Sequence, residues 1–368
     1  MQLTSRPLLS KYKELASLFK QIDNNRWYSN YGPLYRKAQK KIEKYFNLKN
    51  NRVILTSSGH TSLLACCNIL KKYTKKKYII VPSFSFYSNP QTIIQAGFEP
   101  LFVDVNLTDF SIDQKKLELL INKFRNKIAA IMYVSPFGFP IDIKNLNNIQ
   151  KKNKLFLIYD AADTFINLPK KLDYSKIFIT CSFHPTKSLP ANESGLIISP
   201  KKYLKHFENI LNFGFEKKNR NLYLNGFNGK FSEYDAAIFL TNFKRIELIK
   251  KTLKKKNLHI SKKLADINNL YFNKEMGKKW ITSKIFMLSK KKYFMRLEKE
   301  FLHEGIRIFK PWAKRPMHEE RIFKNFKKSN LKNTNIINRK GFAVPFYIDQ
   351  NLKEIDNMIK RINKIFKK

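Results

Sequence analysis

The chain has 368 residues, with 72 Lys and Arg against 28 Asp and Glu and a formal net charge of +44. Hydrophobic residues at 43% and aromatics at 14% exclude a disordered polycation, and the length suffices for about two domains with a real core. Apolar runs such as 128–134 fall far short of the ~20 residues a membrane helix needs, and residues 1–6 have no signal-peptide core, so a cytoplasmic globular protein is expected.

From about residue 50 to 200, short runs rich in Ile, Val and Phe alternate with helix-like stretches. Strands are expected at 52–55, 78–81, 100–105, 128–134, 155–159, 177–181 and 196–199, and helices at 61–73, 89–96, 114–124 and 143–151. Buried strands joined by helices predict a three-layer α/β/α domain with a mostly parallel sheet. One long helix is expected over 232–265, with Ala236, Ala237, Leu240 and Phe243 at helical spacing and Ser232 as N-cap to Asp235. The remainder reads as a smaller α/β domain, with a strand at 285–288 and helices at 292–303 and 352–366. The expected division is a large domain over 1–250 and a small one over 251–368, with no repeat and no flexible linker.

The positive charge is mostly lysine, 59 of the 72 basic residues, scattered along the whole chain. Bidentate reading of phosphate or guanine favours arginine. Asn, Ile, Phe and Tyr are abundant as well, and with Lys their codons are rich in A and T. Compositional bias therefore accounts for the charge, leaving at most a field that steers a polyanionic substrate, and nucleic acid is not an expected partner. The three cysteines have no metal-type spacing, and no metal is expected.

Three segments can carry chemistry. In the first, Thr56-Ser57-Ser58-Gly59-His60-Thr61, a strand meets a small-residue turn and then a helix. Such a turn either aims free N–H groups at a phosphate or is an ordinary N-cap. In the second, Asp160 ends an apolar strand where ligands gather in open α/β sheets, or else caps the next loop. In the third, Ser182 and Lys187 follow another apolar strand, as a phosphate contact and a nucleophilic amine, although one lysine among many is usually a surface residue. Together they supply a phosphate cup, an acid for a pyridine nitrogen and a Schiff-base lysine, the parts of a pyridoxal phosphate site.

In that order the segments resemble the DegT/DnrJ/StrS family of nucleotide-sugar aminotransferases, from about residue 6 to the C-terminus. The likeness extends to Trp27-Tyr28-Ser29-Asn30-Tyr31-Gly32-Pro33, Pro82-Ser83-Phe84-Ser85-Phe86, Gly138-Phe139-Pro140-Ile141-Asp142, Ser182-Phe183-His184-Pro185-Thr186-Lys187 and Asn228-Gly229-Lys230-Phe231-Ser232-Glu233. It implies the aspartate-aminotransferase-like fold (type I), Lys187 and Asp160 as catalytic residues, and pyridoxal 5'-phosphate as cofactor. The cofactor would be held by Gly59, His60, Phe86, Asp160, Asp163, Ser182, Lys187 and Asn228. Asn228 would act across the interface of a homodimer with shared active sites. The implied substrates are a nucleotide-linked keto-deoxysugar, foremost a 4-keto-6-deoxy sugar, and L-glutamate, in amino-sugar biosynthesis. Sugar-dehydrating relatives carry His at the lysine position, so Lys187 favours transamination. A nucleic-acid-binding or regulatory protein on this scaffold is the rival of another class. Departures from the pattern are His60 for a Thr, Asn192 and Ser194 for glycines, and Asp163 where Gln, His or Glu is usual. The last would place an extra negative charge near the cofactor's phenolic oxygen.

Overall fold

A computed structural model describes the chain apart from residues 1–5, 173, 217–220, 223, 224, 311, 313, 314 and 368. Most of the N-terminal stretch read as lacking a signal peptide therefore lies outside the described residues. Seven strands form the large sheet: β1 (Asn51–Thr56), β2 (Tyr78–Pro82), β3 (Glu99–Val103), β4 (Ile128–Val134), β5 (Phe156–Asp160), β6 (Ile177–Ser182) and β7 (Gly195–Pro200). Their spatial order is β1-β7-β6-β5-β4-β2-β3. β2 to β6 pair in parallel, whereas β7 runs antiparallel to both its neighbours. Every residue of β4 is buried, as a strand covered by helices on both faces requires.

Helices α1 (Tyr12–Asn25) and α2 (Pro33–Tyr45) precede the sheet, and α3 (Gly59–Leu70), α4 (Ser88–Gln95), α5 (Gln114–Phe124) and α6 (Ile143–Asn153) connect its strands. Sequence patterning did not single out α1 or α2. Pro33 opens α2 at its first turn, where a missing N–H costs nothing. The buried Glu233 carboxylate accepts the backbone N–H groups of Leu34 and Tyr35, each at 2.8 Å. A Cβ on Gly32 would lie 2.6 Å from that carboxyl carbon, so glycine is required there.

The helix expected over 232–265 is two helices. After α7 (Leu204–Ile210), α8 (Glu233–Phe243) ends at Lys244–Arg245 and α9 (Ile246–Leu264) starts anew. No glycine or proline marks the break. Arg245 instead turns its guanidinium onto Asn242 Oδ1 at 2.7 Å and Ser10 Oγ at 2.9 Å. The Ser232 cap is present, with Asp235 N–H donating to its Oγ at 3.0 Å.

The C-terminal part builds an antiparallel sheet from β8 (Leu270–Tyr271), β9 (Ile285–Ser289) and β10 (Gly341–Val344), in the order β10-β9-β8. α10 (Phe294–His303), α11 (Lys332–Lys340) and α12 (Leu352–Lys367) accompany it. α12 buries Ile355, Met358, Ile359, Ile362, Ile365 and Phe366 along one stripe. Position 250, the expected domain boundary, falls inside α9. Among the described residues no helix is long and apolar enough to cross a membrane.

Candidate active site

Parallel pairing brings the ends of β4, β5 and β6 to one edge of the sheet. Asp160 sits opposite Val134 on one side and Thr180 on the other, and Ser182 ends β6 two residues beyond Thr180. A cavity of about 790 Å³ opens there, lined by Gly59, His60, Phe86, Asp160, Asp163, Ser182 and Lys187 among others. Seven of the eight expected site residues thus share one chamber. Asn228, the eighth, is exposed, pairs with Asn212 in a β-bridge and does not line the cavity.

One end of the cavity is an anion cradle. Ser58 has extended backbone and caps α3, its Oγ accepting the Thr61 N–H at 3.0 Å. The turn is an ordinary N-cap that also lines the cavity through Ser58, Gly59 and His60, and the first turn of a helix is suited to an anion. Three backbones meet closely here. A Cβ on Gly59 would stand 2.7 Å from Ser182 Cβ, and one on Gly195 would stand 2.6 Å from the Ser58 carbonyl. Small residues at 59 and 195 are therefore a steric condition for the cup. His60 directs Nε2 to Gln95 Oε1 at 3.0 Å, which leaves its backbone N–H and its other ring nitrogen for a ligand.

Asp160 is 5% exposed. Its Oδ2 accepts from Asn89 Nδ2 at 2.6 Å and its Oδ1 from the Ala162 N–H at 3.0 Å. Burial dominates over these donors and over Lys187, and pushes the carboxyl above its ordinary value. An acid held this way gains most from a cation brought to it by a ligand. Asn89 was not singled out from the sequence. A polar residue in the first turn of a predicted helix reads as a surface residue, and its partner stands 71 positions away.

Asp163 is equally buried, and Lys284 stands against it with Nζ 2.7 Å from Oδ2. Burial raises this carboxyl too, but Lys187 and Lys284 outweigh it and hold Asp163 below the carboxylate range. Lys284 is itself pulled below its ordinary value by burial, with Lys187 adding to the pull and Asp163 opposing it. The 2.7 Å contact makes the two groups an ion pair at neutral pH. The extra negative charge expected from Asp163 is thus answered inside the protein, by a lysine the sequence reading did not single out.

At the mouth, His184 Nε2 approaches Glu193 Oε1 at 3.2 Å, both partly exposed. Burial holds His184 below its ordinary value, against the pull of Glu193. Asn192 has φ 62°, the left-handed region that the family's glycine would adopt without cost. The buried Ser194 donates its hydroxyl to Ala191 O at 2.7 Å, so the second glycine replacement is absorbed in the loop. Over the far end, Arg6 forks onto Asp349, Nη2 to Oδ2 at 2.5 Å, and lies 4.8 Å from the Tyr347 ring centre.

A profile of the DegT/DnrJ/EryC1/StrS aminotransferase family matches residues 10–363. The chain belongs to that family. A Mycobacterium tuberculosis relative, protein Rv3402c, is 28% identical over 241 residues, which are 64% of this chain and 58% of that protein. The dTDP-4-amino-4,6-dideoxy-D-glucose transaminase of Shigella dysenteriae is 26% identical over 270 residues, covering 72% of this chain and 71% of the other. Among solved structures, a Bacillus cereus protein described as a PLP-dependent aminotransferase superposes with a TM-score of 0.89 at 24% identity. That superposition covers 97% of this chain and 98% of the other. The likeness carries the fold: the three-layer large domain and smaller C-terminal α/β part are those of the DegT/DnrJ/EryC1/StrS aminotransferases.

Proposed function

We propose that this protein is a pyridoxal-phosphate-dependent aminotransferase that acts on a nucleotide-linked keto sugar. The observation that carries the reading is one cavity holding an anion cradle, a buried carboxyl lacking a full counter-charge, and a lysine. The residues fit the cofactor by size and charge. The cup at Gly59 and Ser182 admits a phosphate only because no Cβ fills it, and Asp160 offers a carboxylate to a ring N–H.

When bound, pyridoxal phosphate supplies an electron sink for negative charge developed at a substrate carbon. The remaining roles belong to the chain. Lys187 would hold the cofactor through its amine, and the same amine would hold and move a proton at the substrate carbon. Asp160 would hold a protonated ring nitrogen, and Asn89 orients Asp160. Gly59, His60 and Ser182 bind the phosphate, and Phe86, 47% exposed on the cavity wall, offers a flat face to the ring. Asn228 serves a partner subunit in a homodimer, in keeping with its exposed position outside its own cavity.

A 4-keto-6-deoxy sugar on a nucleoside diphosphate is the proposed acceptor and L-glutamate the proposed donor, in a ping-pong exchange. Support comes from the family and from relatives that include sugar-nucleotide transaminases. The test is the visible spectrum of the protein mixed with pyridoxal phosphate, followed by borohydride reduction and peptide mapping. A new band and label on Lys187 are expected. A featureless spectrum, or label confined to other lysines, would sink the reading.

A further inference from the structure

The Asp163–Lys284 pair has no part in the roles just assigned, yet both residues line the cavity. Lys284 arrives from the segment before β9, 121 residues downstream of Asp163. That segment is clamped at successive residues, by Asn167 and Phe137 of the large domain and by Asn257 of α9. Asn167 accepts the Ile281 N–H at 3.0 Å and donates to the Ile281 carbonyl at 2.7 Å. Asn257 does the same for Thr282, accepting its N–H at 2.6 Å and donating to its carbonyl at 3.1 Å. Thr282 Oγ1 donates to the Phe137 carbonyl at 2.6 Å and accepts the Lys284 N–H at 2.9 Å. Two reciprocal amide pairs fix the backbone from which Lys284 reaches its carboxylate, the kind of support a precisely placed side chain needs.

Lys187 lines the same cavity as Asp163 and Lys284, and its charge acts on both. Two lysines thus share a cavity with one buried carboxylate, and the carboxylate is paired with Lys284. We propose that Lys284 is a positioning residue that occupies Asp163 and thereby keeps Lys187 from being held there as a second, inert ion pair. A lysine paired to a buried carboxylate is held as an ammonium, which has no lone pair for attack on a carbonyl carbon and cannot accept a proton. With Asp163 neutralised by Lys284, Asp160 is a further counter-charge near Lys187, and it would be taken up by the ring nitrogen of a bound cofactor. Other titratable groups facing the pair are His184, which Lys187 and Lys284 both influence, and Glu193 beyond it. The inference rests on the pyridoxal phosphate reading for its purpose, but not for its geometry.

The test is the rate at which cofactor-free protein captures pyridoxal phosphate at a fixed pH near 8. Capture is followed by absorbance and assigned to Lys187 by borohydride trapping. Lys284→Met frees Asp163 to hold Lys187, and capture should slow about tenfold. The double variant Asp163→Asn with Lys284→Met removes the competing carboxylate as well, and it should capture cofactor several times faster than Lys284→Met alone. Rescue by a second substitution separates this role from a merely structural one, which a further loss of pairing would only worsen. Equal capture by Lys284→Met and wild type, or a double variant as slow as the single, would overturn the proposal. Lys284→Gln, which keeps a donor for Asp163, serves if the methionine variant does not fold, with the same two outcomes. If wild type captures no cofactor, the functional reading fails, and methyl acetimidate labelling of Lys187 still judges the pair. Slower labelling in Lys284→Met supports the competition, and equal labelling overturns it.

Discussion

Asp160 and Asp163 stand three residues apart in the same cavity, one at 5% and the other at 6% exposure, and their surroundings push them in opposite directions. Asp160 ends a strand of the large sheet and is met directly by neutral donors, Asn89 and a backbone N–H. Asp163 lies where the segment before β9 crosses over, and it is met by an ammonium. Burial costs both carboxylates, but only Asp163 has its compensating charge in direct contact. The difference separates a carboxylate prepared for a cationic ligand from one already neutralised by the fold. Equal burial, by itself, says nothing about which is which.

Removing each acid should therefore have different consequences. Asp160→Ala is expected to lower turnover by about a thousandfold, as loss of a preorganised charge partner does. Asp160→Asn should nevertheless raise the melting temperature of the cofactor-free protein at neutral pH. The sign follows from the raised carboxyl: its ionised form costs stability, and that cost grows as pH rises through the folded value. A melting temperature lowered by the amide would erase the distinction between the two acids.

Asp163→Ala acts on stability in the opposite sense. It strands Lys284 without its carboxylate, for a loss of about 2 kcal/mol after allowing for the partial exposure of the lysine, read from urea unfolding. The depressed carboxyl makes this contribution present at neutral pH. It should disappear as pH falls through the folded value, so the wild-type and variant curves converge in acid. Asn89→Ala removes the 2.6 Å donor to Asp160 and should raise that carboxyl further. Turnover should fall about tenfold, with the acid limb of the pH–rate profile moved to higher pH. The smallest effect is expected from Glu193→Gln, whose partner His184 is exposed enough for screening to weaken the pair. A stability change under about 0.5 kcal/mol should accompany a downward shift in the His184 ring titration, followed by NMR. Together the three paired groups would rank compensation by burial.

Much of the large domain was legible because its signals are local. The strand read at 128–134 is β4 residue for residue, since a strand buried on both faces is a continuous apolar run. Asp160, Ser182 and Lys187 stood out because each follows such a run. The break at Lys244–Arg245 was not legible, since its cause is a guanidinium turned onto Asn242 and Ser10 rather than a helix-breaking residue. Nor was α2, whose N-terminus is capped by a carboxylate 199 residues away from Leu34. Lys284 was hidden twice, as one of 59 lysines and as half of a pair distant in sequence. Helix caps, apolar runs and small-residue turns are written within a few positions, but pairings across the fold are not.

The distance between the partners in that pair also orders the site in time. By residue 200 a growing chain has made the cup, Asp160 and Lys187, and with them a buried carboxylate at Asp163 that has not yet met its lysine. Lys284 follows only after α9, and Asp349, the anchor for Arg6, comes later still. A ribosome-bound fragment stopped near residue 250 would carry Asp160, Asp163 and Lys187 without the lysine that pairs with Asp163. If Lys284 has the role proposed for it, the small domain is more than a cover, because its synthesis completes the pairing of Asp163.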